Sequence, residues 1–215
     1  MTQPPEWTAR RSRSRRDRVR ATRDLVVAKA STLFIERGYV QTTMADIAAA
    51  AGVAVQTLYL RFGGKVAILA TAFDQAAAGD AEEVAIADRP WVDELKAAPD
   101  FPVAARLLVR NTRRILERAT PLFTRIEQAS ADPEVAQLLA ESKRRKYETT
   151  GILARILRDK PGFERRLSLA QTTDVLFGLA SEELFRLWCH ERGWSHSQWE
   201  DFTLAVLINQ LGEHA

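Results

Sequence analysis

The chain has 215 residues, of which 46% are hydrophobic, and it carries a formal net charge of +3. This length and hydrophobic fraction predict a folded globular protein with a sizeable core. The one cysteine, Cys189, excludes an internal disulfide framework and favours a reducing compartment. No apolar run is long enough for a membrane span or a secretory signal, so we expect a cytoplasmic protein with no membrane partner.

Charge is distributed unevenly along the chain. Residues 1–75 hold 12 Lys or Arg and 6 Asp or Glu, a net charge of +6, whereas residues 76–215 hold 19 and 22, a net charge of −3. Eight arginines and one acid, Asp17, fall between Arg10 and Arg23. Because such a run repels itself and offers few apolar side chains, we predict a flexible arginine-rich arm over residues 1–21. The arm either keeps the protein soluble or binds a polyanion.

Apolar residues at spacings of three and four predict helices for nearly all of the chain after Arg20. The first helix is predicted over residues 22–37, with Gly38 as its left-handed C-terminal stop. One face of this helix is apolar and carries Val26, Ala30, Leu33 and Phe34. This face requires a partner.

Two short apolar segments on either side of Gly52 supply that partner. Thr43 suits a helix N-cap, and Asp46, three residues later, completes a capping box. Gly52 can adopt the positive φ that a sharp turn requires, and a second short helix is predicted over residues 53–60. The inner face of the first short helix is predicted to consist of Met44, Ile47, Ala48 and Ala51.

A fourth helix is predicted from Lys65, with an apolar face formed by Val66, Leu69, Ala70 and Phe73. Four short amphipathic helices can share one core, so we predict a small domain over residues 22–75. A second helical domain is predicted over residues 76–215, after a connection that contains prolines. Its helices are predicted over residues 101–119, 121–130, 133–159, 164–191 and 197–212. The whole chain is therefore expected to be all-α.

A helix, a tight glycine turn and a second helix form a helix-turn-helix, in which the first helix supports the second in the major groove of DNA. The positive charge of the same part of the chain agrees with this function. A more specific pattern consists of Gly38-Tyr39, Thr42-Thr43, Ile47-Ala48, Ala51-Gly52-Val53, Thr57-Leu58-Tyr59, Phe62 and Lys65. With these residues, the segment from Arg23 to Phe73 resembles the DNA-binding domain of TetR-type bacterial transcription regulators.

The resemblance implies a ligand-responsive repressor with an N-terminal helix-turn-helix domain and a C-terminal helical domain. It implies a homodimer that is joined through the C-terminal helices and bound to a double-stranded, palindromic DNA operator. A small-molecule effector would bind the C-terminal domain and release the operator, and no cofactor is expected. The alternative function is that of a nonspecific DNA-coating or architectural protein, which binds without reading the sequence.

The resemblance also implies which residues contact DNA. Val55, Gln56 and Thr57 open the recognition helix, where the amide of Gln56 can match adenine and Val55 suits a thymine methyl. Contacts to the DNA backbone are expected from Thr43, Tyr59, Arg61 and Lys65. The arm, with Arg16, Arg18 and Arg20, is expected to follow the backbone or to enter an adjacent narrow minor groove. Ala54 replaces the family's common capping serine and Gly63-Gly64 its more usual polar cap, so the helices that follow are expected to start less firmly.

Effector contacts are expected on the middle helices of the second domain, where family pockets form. The candidates are Asn111, Phe123, Tyr147, Phe177 and Trp188. For each aromatic residue the alternative is ordinary core packing, and for Asn111 it is a bond to another helix or exposure to solvent.

Other chemistries are disfavoured. Cys189, His190 and His196 are not expected to hold a metal, because adjacent Cys and His point in different directions on a helix and no fourth ligand is spaced nearby. The sequence contains no phosphate-binding glycine loop, metalloprotease His pair or nucleophile elbow, so we do not expect an enzyme. The basic run at residues 143–146 is interpreted as a solvated helix face, with an acidic partner or an anionic ligand as alternatives.

Overall fold

The computed structural model describes residues 6–82 and 84–213, with side chains from Asp17 onward. These residues form helices joined by loops, and their only β contact is an isolated bridge between Phe163 and Gly212. The expected all-α fold is therefore confirmed. The chain divides into two compact units, Met1–Phe73 and Asp74–Ala215. Among the helices of the described ranges, none has the length and apolarity that crossing a membrane requires.

The first unit contains α1 (Glu6–Arg37), α2 (Met44–Ala51), α3 (Val55–Phe62) and most of α4 (Lys65–Ala78). The prediction of a first helix that begins at residue 22 is wrong, because α1 already includes the arginine-rich segment from Glu6 onward. Arginine is a good helix former, and no proline or glycine interrupts this stretch. Residues 1–5 of the predicted arm lie outside the described residues.

The core of the first unit forms where the amphipathic faces of its helices meet. All eight residues predicted for the inner faces of α1 and α2 are buried. The face of α4 was predicted only in part: Leu69 and Phe73 are buried, but Ile68 and Ala72 complete the buried face instead of Val66 and Ala70. A nearly continuous apolar sequence is compatible with both faces, and packing against the other helices selects between them.

The second unit contains a 3₁₀ turn at Ile86–Asp88 and then a series of helices. They are α5 (Pro90–Ala97), α6 (Phe101–Gln128), α7 (Pro133–Arg158), α8 (Leu169–Leu179), α9 (Glu182–Phe185), a π-helical segment (Arg186–Glu191) and α10 (His196–Leu211).

Two helix predictions for this unit are wrong. Residues 101–130 were predicted as two helices, but α6 continues through Pro121. Proline cannot donate to the carbonyl of Glu117, yet Leu116, Leu122 and Phe123 on the same helix are buried, and this packing maintains the helix. The helix predicted over residues 164–191 starts later, at Leu169, and is interrupted at Ser181, whose side chain caps α9 by accepting from the Leu184 N–H.

Several helices of the molecule begin at a side chain that satisfies their first N–H groups. The Thr43–Asp46 pair forms a capping box at α2, and Ser168–Gln171 and Ser195–Gln198 form capping boxes at α8 and α10. Asp100 and Asp132 cap α6 and α7. These caps fix where each helix begins.

The core of the second unit is built around large aromatic residues. Phe101, Phe185 and Trp199 are fully buried, and the rings of Phe185 and Trp199 meet edge to face with their centroids 5.4 Å apart. Leucines of α6, α7, α8 and α10 pack around them. The four helices thereby share a single core.

Candidate DNA-binding surface and effector cavity

Thr43 fixes the start of α2, the supporting helix of the motif. Its N–H and hydroxyl both donate to Oδ2 of Asp46, at 2.8 and 2.6 Å, and its Oγ1 accepts from the Asp46 N–H at 3.1 Å. The bonds from the Thr43 side chain and backbone lower the pKa of the Asp46 carboxyl below its ordinary value. The predicted capping box is therefore confirmed.

Gly52 makes the turn between α2 and α3. Its φ of 66° and ψ of 34° are left-handed, and its N–H lies 3.3 Å from the carbonyl of Ala49. The next N–H, from Val53, donates to the carbonyl of Ala48 at 3.0 Å. Ala54 then occupies the N-cap position just before α3. It forms no side-chain cap, because its methyl group cannot accept a hydrogen bond. The expected glycine turn and the weaker start of the recognition helix are both present.

One buried residue anchors α3, and the opposite face of the helix is exposed. Leu58 is completely buried, whereas Tyr59 and Leu60 are 53% and 88% exposed. Val55 and Gln56 are also exposed, while Thr57 is half-buried. The structure therefore brings the predicted base-reading residues Val55 and Gln56 onto one accessible end of a supported helix. Leu60 is the most exposed of these residues and is not among those predicted to contact DNA.

Two predicted backbone-contacting cations also make contacts within the unit. The guanidinium of Arg61 donates to the carbonyl of Val19 on α1 at 3.1 Å. The ammonium of Lys65 donates to the carbonyl of Tyr39 at 2.9 Å and lies 4.0 Å from the centre of the Tyr39 ring. Guanidinium and ammonium groups have several N–H donors, so these bonds are compatible with phosphate contacts. They also hold α3 and α4 against the loop and helix that precede them.

The predicted arm residues lie on α1. Arg18 and Arg20 are exposed on its surface. The side chain of Arg16 lies outside the described side chains, although its backbone belongs to the helix. Arg18 and Arg20 are therefore presented from a helix and not, as expected, from an irregular segment.

The second unit contains a small, partly open cavity of about 40 Å³ between α6, α7, α8 and α10. Most of its surface is apolar, formed by Leu108, Val109, Leu153, Leu176, Leu179 and Leu207. Trp199 and three threonines are the residues with polar groups among those that line the cavity. The lining residues that the structure describes include no charged side chain.

The five residues predicted to contact an effector lie elsewhere in the unit. The Asn111 amide donates to the carbonyl of Leu107 in its own helix at 2.8 Å. Tyr147 donates to Asp174 at 2.9 Å and packs edge to face on Phe177. Phe123 is buried, and Trp188 stacks on Trp194 with ring centroids 5.2 Å apart. None of the five lines the cavity of about 40 Å³.

The basic run on α7 has acidic partners at the start of α9. Lys143 contacts Glu183 at 2.7 Å, and Lys146 contacts Glu182 at 2.5 Å and the carbonyl of Ala180 at 2.6 Å. The Glu182 side chain is only 8% exposed. The interpretation of this run as a purely solvated face is therefore wrong for its two lysines, and the alternative of an acidic partner is confirmed.

Comparisons with known proteins agree with the geometry of the first unit. Residues 26–72 match the sequence model of the tetR family of bacterial regulatory proteins. No curated protein has a sequence significantly similar to this one.

Solved structures share the fold over almost the whole chain. NalD, the secondary repressor of the MexAB-OprM multidrug efflux pump in Pseudomonas aeruginosa, is 18% identical with a TM-score of 0.68, covering 91% of this chain and 98% of its own. FadR from Bacillus subtilis in complex with stearoyl-CoA is 19% identical with a TM-score of 0.67, covering 88% and 98%. A transcriptional regulator from Saccharomonospora viridis in complex with choline is 20% identical with a TM-score of 0.64, covering 89% and 98%.

The family match covers α2, α3 and the turn between them, and these elements carry the exposed recognition face described above. Residues 26–72 therefore match the amino-terminal domain of the tetR family of bacterial regulatory proteins, and the solved structures share the fold of the chain as a whole.

Proposed function

We propose that the protein is a repressor that binds a palindromic operator as a homodimer and releases it when a small molecule binds the second unit. The exposed end of α3 carries this proposal, because an adenine-matching amide and an apolar side chain stand there on a helix anchored by the buried Leu58. NalD is itself a repressor, and FadR and the Saccharomonospora viridis regulator have small molecules bound, which supports the repressor and effector parts of the proposal.

The residues of the first unit then have different roles. Gln56 and Val55 read base edges, and Leu60 adds an apolar contact to a sugar or a thymine methyl. Thr57 faces the base edges beside them, and Thr43, Tyr59, Arg61 and Lys65 position the helix on phosphates. Arg16, Arg18 and Arg20 add affinity that does not depend on sequence and falls with salt.

Apolar side chains on the C-terminal helices support a homodimer. Leu187 is 42% exposed and Phe202 is 41% exposed. Phe202 belongs to an aromatic cluster with Trp188 and Trp194, at centroid distances of 5.1 and 5.5 Å. In a two-fold symmetric dimer this cluster packs against the same cluster of the second protomer. The contact stabilises the dimer because it removes apolar surface from water.

Polar contacts inside the second unit connect the cavity to the end of α4. Arg118 on α6 donates to the carbonyls of Ala76 and Ala77 at 2.9 and 3.1 Å. Arg145 on α7 contacts Asp74 on α4 at 3.2 Å. Residues of α6 and α7 also line the cavity, so an effector that displaces these helices also displaces the last turn of α4. The earlier turns of α4 belong to the first unit. A displacement of this kind changes DNA affinity only if the effector binds the two conformations unequally.

Selection of bound sequences from a random pool of double-stranded DNA tests the proposal. We expect a palindrome, with an affinity for the winning sequence far above that for scrambled DNA at two salt concentrations. Gln56→Ala should relax preference at one base position by about 1–3 kcal/mol. The matched variant Arg20→Gln should weaken binding to all sequences and reduce the salt slope by about 1.

Equal, salt-sensitive binding to every sequence would contradict the proposal and indicate the DNA-coating function. Uniform losses from both variants would contradict the assigned division between reading and positioning.

A further inference from the structure

Two residues that line the cavity between α6, α7, α8 and α10 carry buried polar groups without a hydrogen-bond partner among the described residues. Trp199 is completely buried and Thr203 is 3% exposed. Within the described residues, neither the Trp199 Nε1 nor the Thr203 Oγ1 has a hydrogen-bond partner. Buried polar groups in proteins are nearly always paired, because an unpaired one loses its water without replacement. An unpaired indole N–H and an unpaired hydroxyl on one cavity therefore require an explanation.

These two residues lie on the same face of α10. They are four residues apart, so their side chains are neighbours on the helix surface, and both line the cavity. An indole N–H can only donate, and a threonine hydroxyl can donate to the same acceptor. Thr150 also lines the cavity, but its hydroxyl already donates to the carbonyl of Lys146 at 2.8 Å. The pair on α10 thus supplies two neighbouring donors, and neither has a partner among the described residues.

We propose that the effector is a small, neutral, largely apolar molecule with one acceptor oxygen, such as a ketone, and that Trp199 and Thr203 donate to this oxygen. This inference rests on the proposed repressor function and identifies the class of ligand that controls it. A charged ligand is excluded because the described lining has no side chain of opposite charge, and a buried charge without a partner is strongly disfavoured. A hydrocarbon fits the apolar wall but leaves both donors unpaired.

Because the cavity is small, a bound effector has to move the helices around it. A volume of about 40 Å³ is well below the roughly 300–1,000 Å³ of ordinary ligand pockets, so a ring-sized ligand has to separate the surrounding helices. Leu108, Val109 and Thr112 of α6 line the cavity together with residues of α10. The same helix α6 holds the last turn of α4 through Arg118. Binding at the α10 donors therefore moves the element that the proposed switch requires.

Titration of the full-length protein with matched probes tests the ligand class directly. The probes are cyclohexanone and acetophenone, the hydrocarbons cyclohexane and ethylbenzene, and the acids cyclohexanecarboxylate and benzoate. The readout is the indole N–H signal of Trp199 in two-dimensional NMR, distinguished from those of the other four tryptophans by its loss in Trp199→Phe. We expect the ketones to shift this signal saturably, the hydrocarbons to bind more weakly, and the acids not to bind.

Thr203→Val keeps the shape of the side chain and removes its hydroxyl. It should weaken ketone binding about threefold to tenfold and leave hydrocarbon binding unchanged. The matched control is Thr120→Val, because the Thr120 hydroxyl is also buried and has no partner among the described residues but does not line the cavity. This control should bind the ketones as the unaltered protein does.

Three results would overturn the proposal: no shift of the Trp199 signal with either ketone, ketone affinity that is unchanged in Thr203→Val, or tighter binding of the acids. These titrations contain no DNA, so they fail or succeed independently of the operator selection. A selected palindrome without ketone binding would overturn only the ligand class. Ketone binding without a preferred DNA sequence would overturn only the repressor function.

Discussion

Replacement of Gly52 by alanine isolates the conformational cost of the turn that supports the recognition helix. A Cβ at this position meets no atom within 4 Å, so the cost comes from the left-handed φ of 66° and not from a clash. For an L-residue this conformation costs roughly 1–2 kcal/mol. The smaller entropy of the unfolded alanine chain offsets about 0.4–1 kcal/mol of that. We expect Gly52→Ala to lower the free energy of unfolding by about 1 kcal/mol.

Gly64 provides a matched control in the same unit. A Cβ there also meets open space, and the backbone is not left-handed. Gly64→Ala should therefore keep the stability or raise it by up to about 1 kcal/mol. Urea denaturation of the full chain measures both variants, and hydrogen exchange of peptides from α2 and α3 locates the loss. Equal stability of the two variants would refute the argument that the positive φ at Gly52 is required.

Three other predictions concern charged side chains. Because its bonds with Thr43 lower the pKa of Asp46, its carboxylate stabilises the fold at neutral pH, and that contribution is lost as the pH falls from about 4 through the folded-state pKa. Asp46→Asn should therefore reduce the urea midpoint at pH 7, and by progressively less as the pH is lowered below about 4. A reduction that stays the same at every pH would contradict this. Lys146→Met leaves the buried Glu182 carboxylate without this ion pair and should lower the free energy of unfolding, measured by urea denaturation, on the order of 3 kcal/mol. Lys143→Met removes a more exposed ion pair and should lower it by less than about 1 kcal/mol. Similar losses in the two variants would show that burial does not determine the cost here. Arg118→Ala should reduce the effector-induced change in operator Kd about threefold to thirtyfold while the effector still binds, and an unchanged ratio would exclude this arginine from the switch.

The sequence predicts the helix-turn-helix well because its signals are local. The Thr43–Asp46 box lies within four residues, and the left-handed turn coincides with a glycine at position 52. The apolar faces of α1 and α2 follow the helical period without interruption, and every residue predicted for them is buried. Gln56 and Val55 are exposed because Leu58 is the one residue of α3 that is buried.

The failures occur where tertiary packing or a competing preference overrides a local rule. The arginine-rich segment was judged by charge repulsion, whereas its helix propensity is the stronger preference in the structure. Pro121 predicts a helix boundary, but the buried residues around it maintain α6. The bond from Arg61 to Val19 joins residues 42 positions apart, and no local pattern contains it. The cavity lining comes from four helices, so the individual stripes do not indicate which side chains meet there.

The helix caps of the molecule differ in their response to acid. The cap of α2 includes the Asp46 carboxylate, whose pKa is lowered by its bonds with Thr43, whereas α8, α9 and α10 begin at serines, paired with glutamine at α8 and α10. Serine and glutamine do not titrate. The C-terminal helices that we assign to the dimer interface therefore retain their caps at a pH at which α2, the helix that supports the recognition helix, has lost the carboxylate of its capping box. Acidification should therefore yield protomers that are still associated through their C-terminal helices but no longer hold DNA.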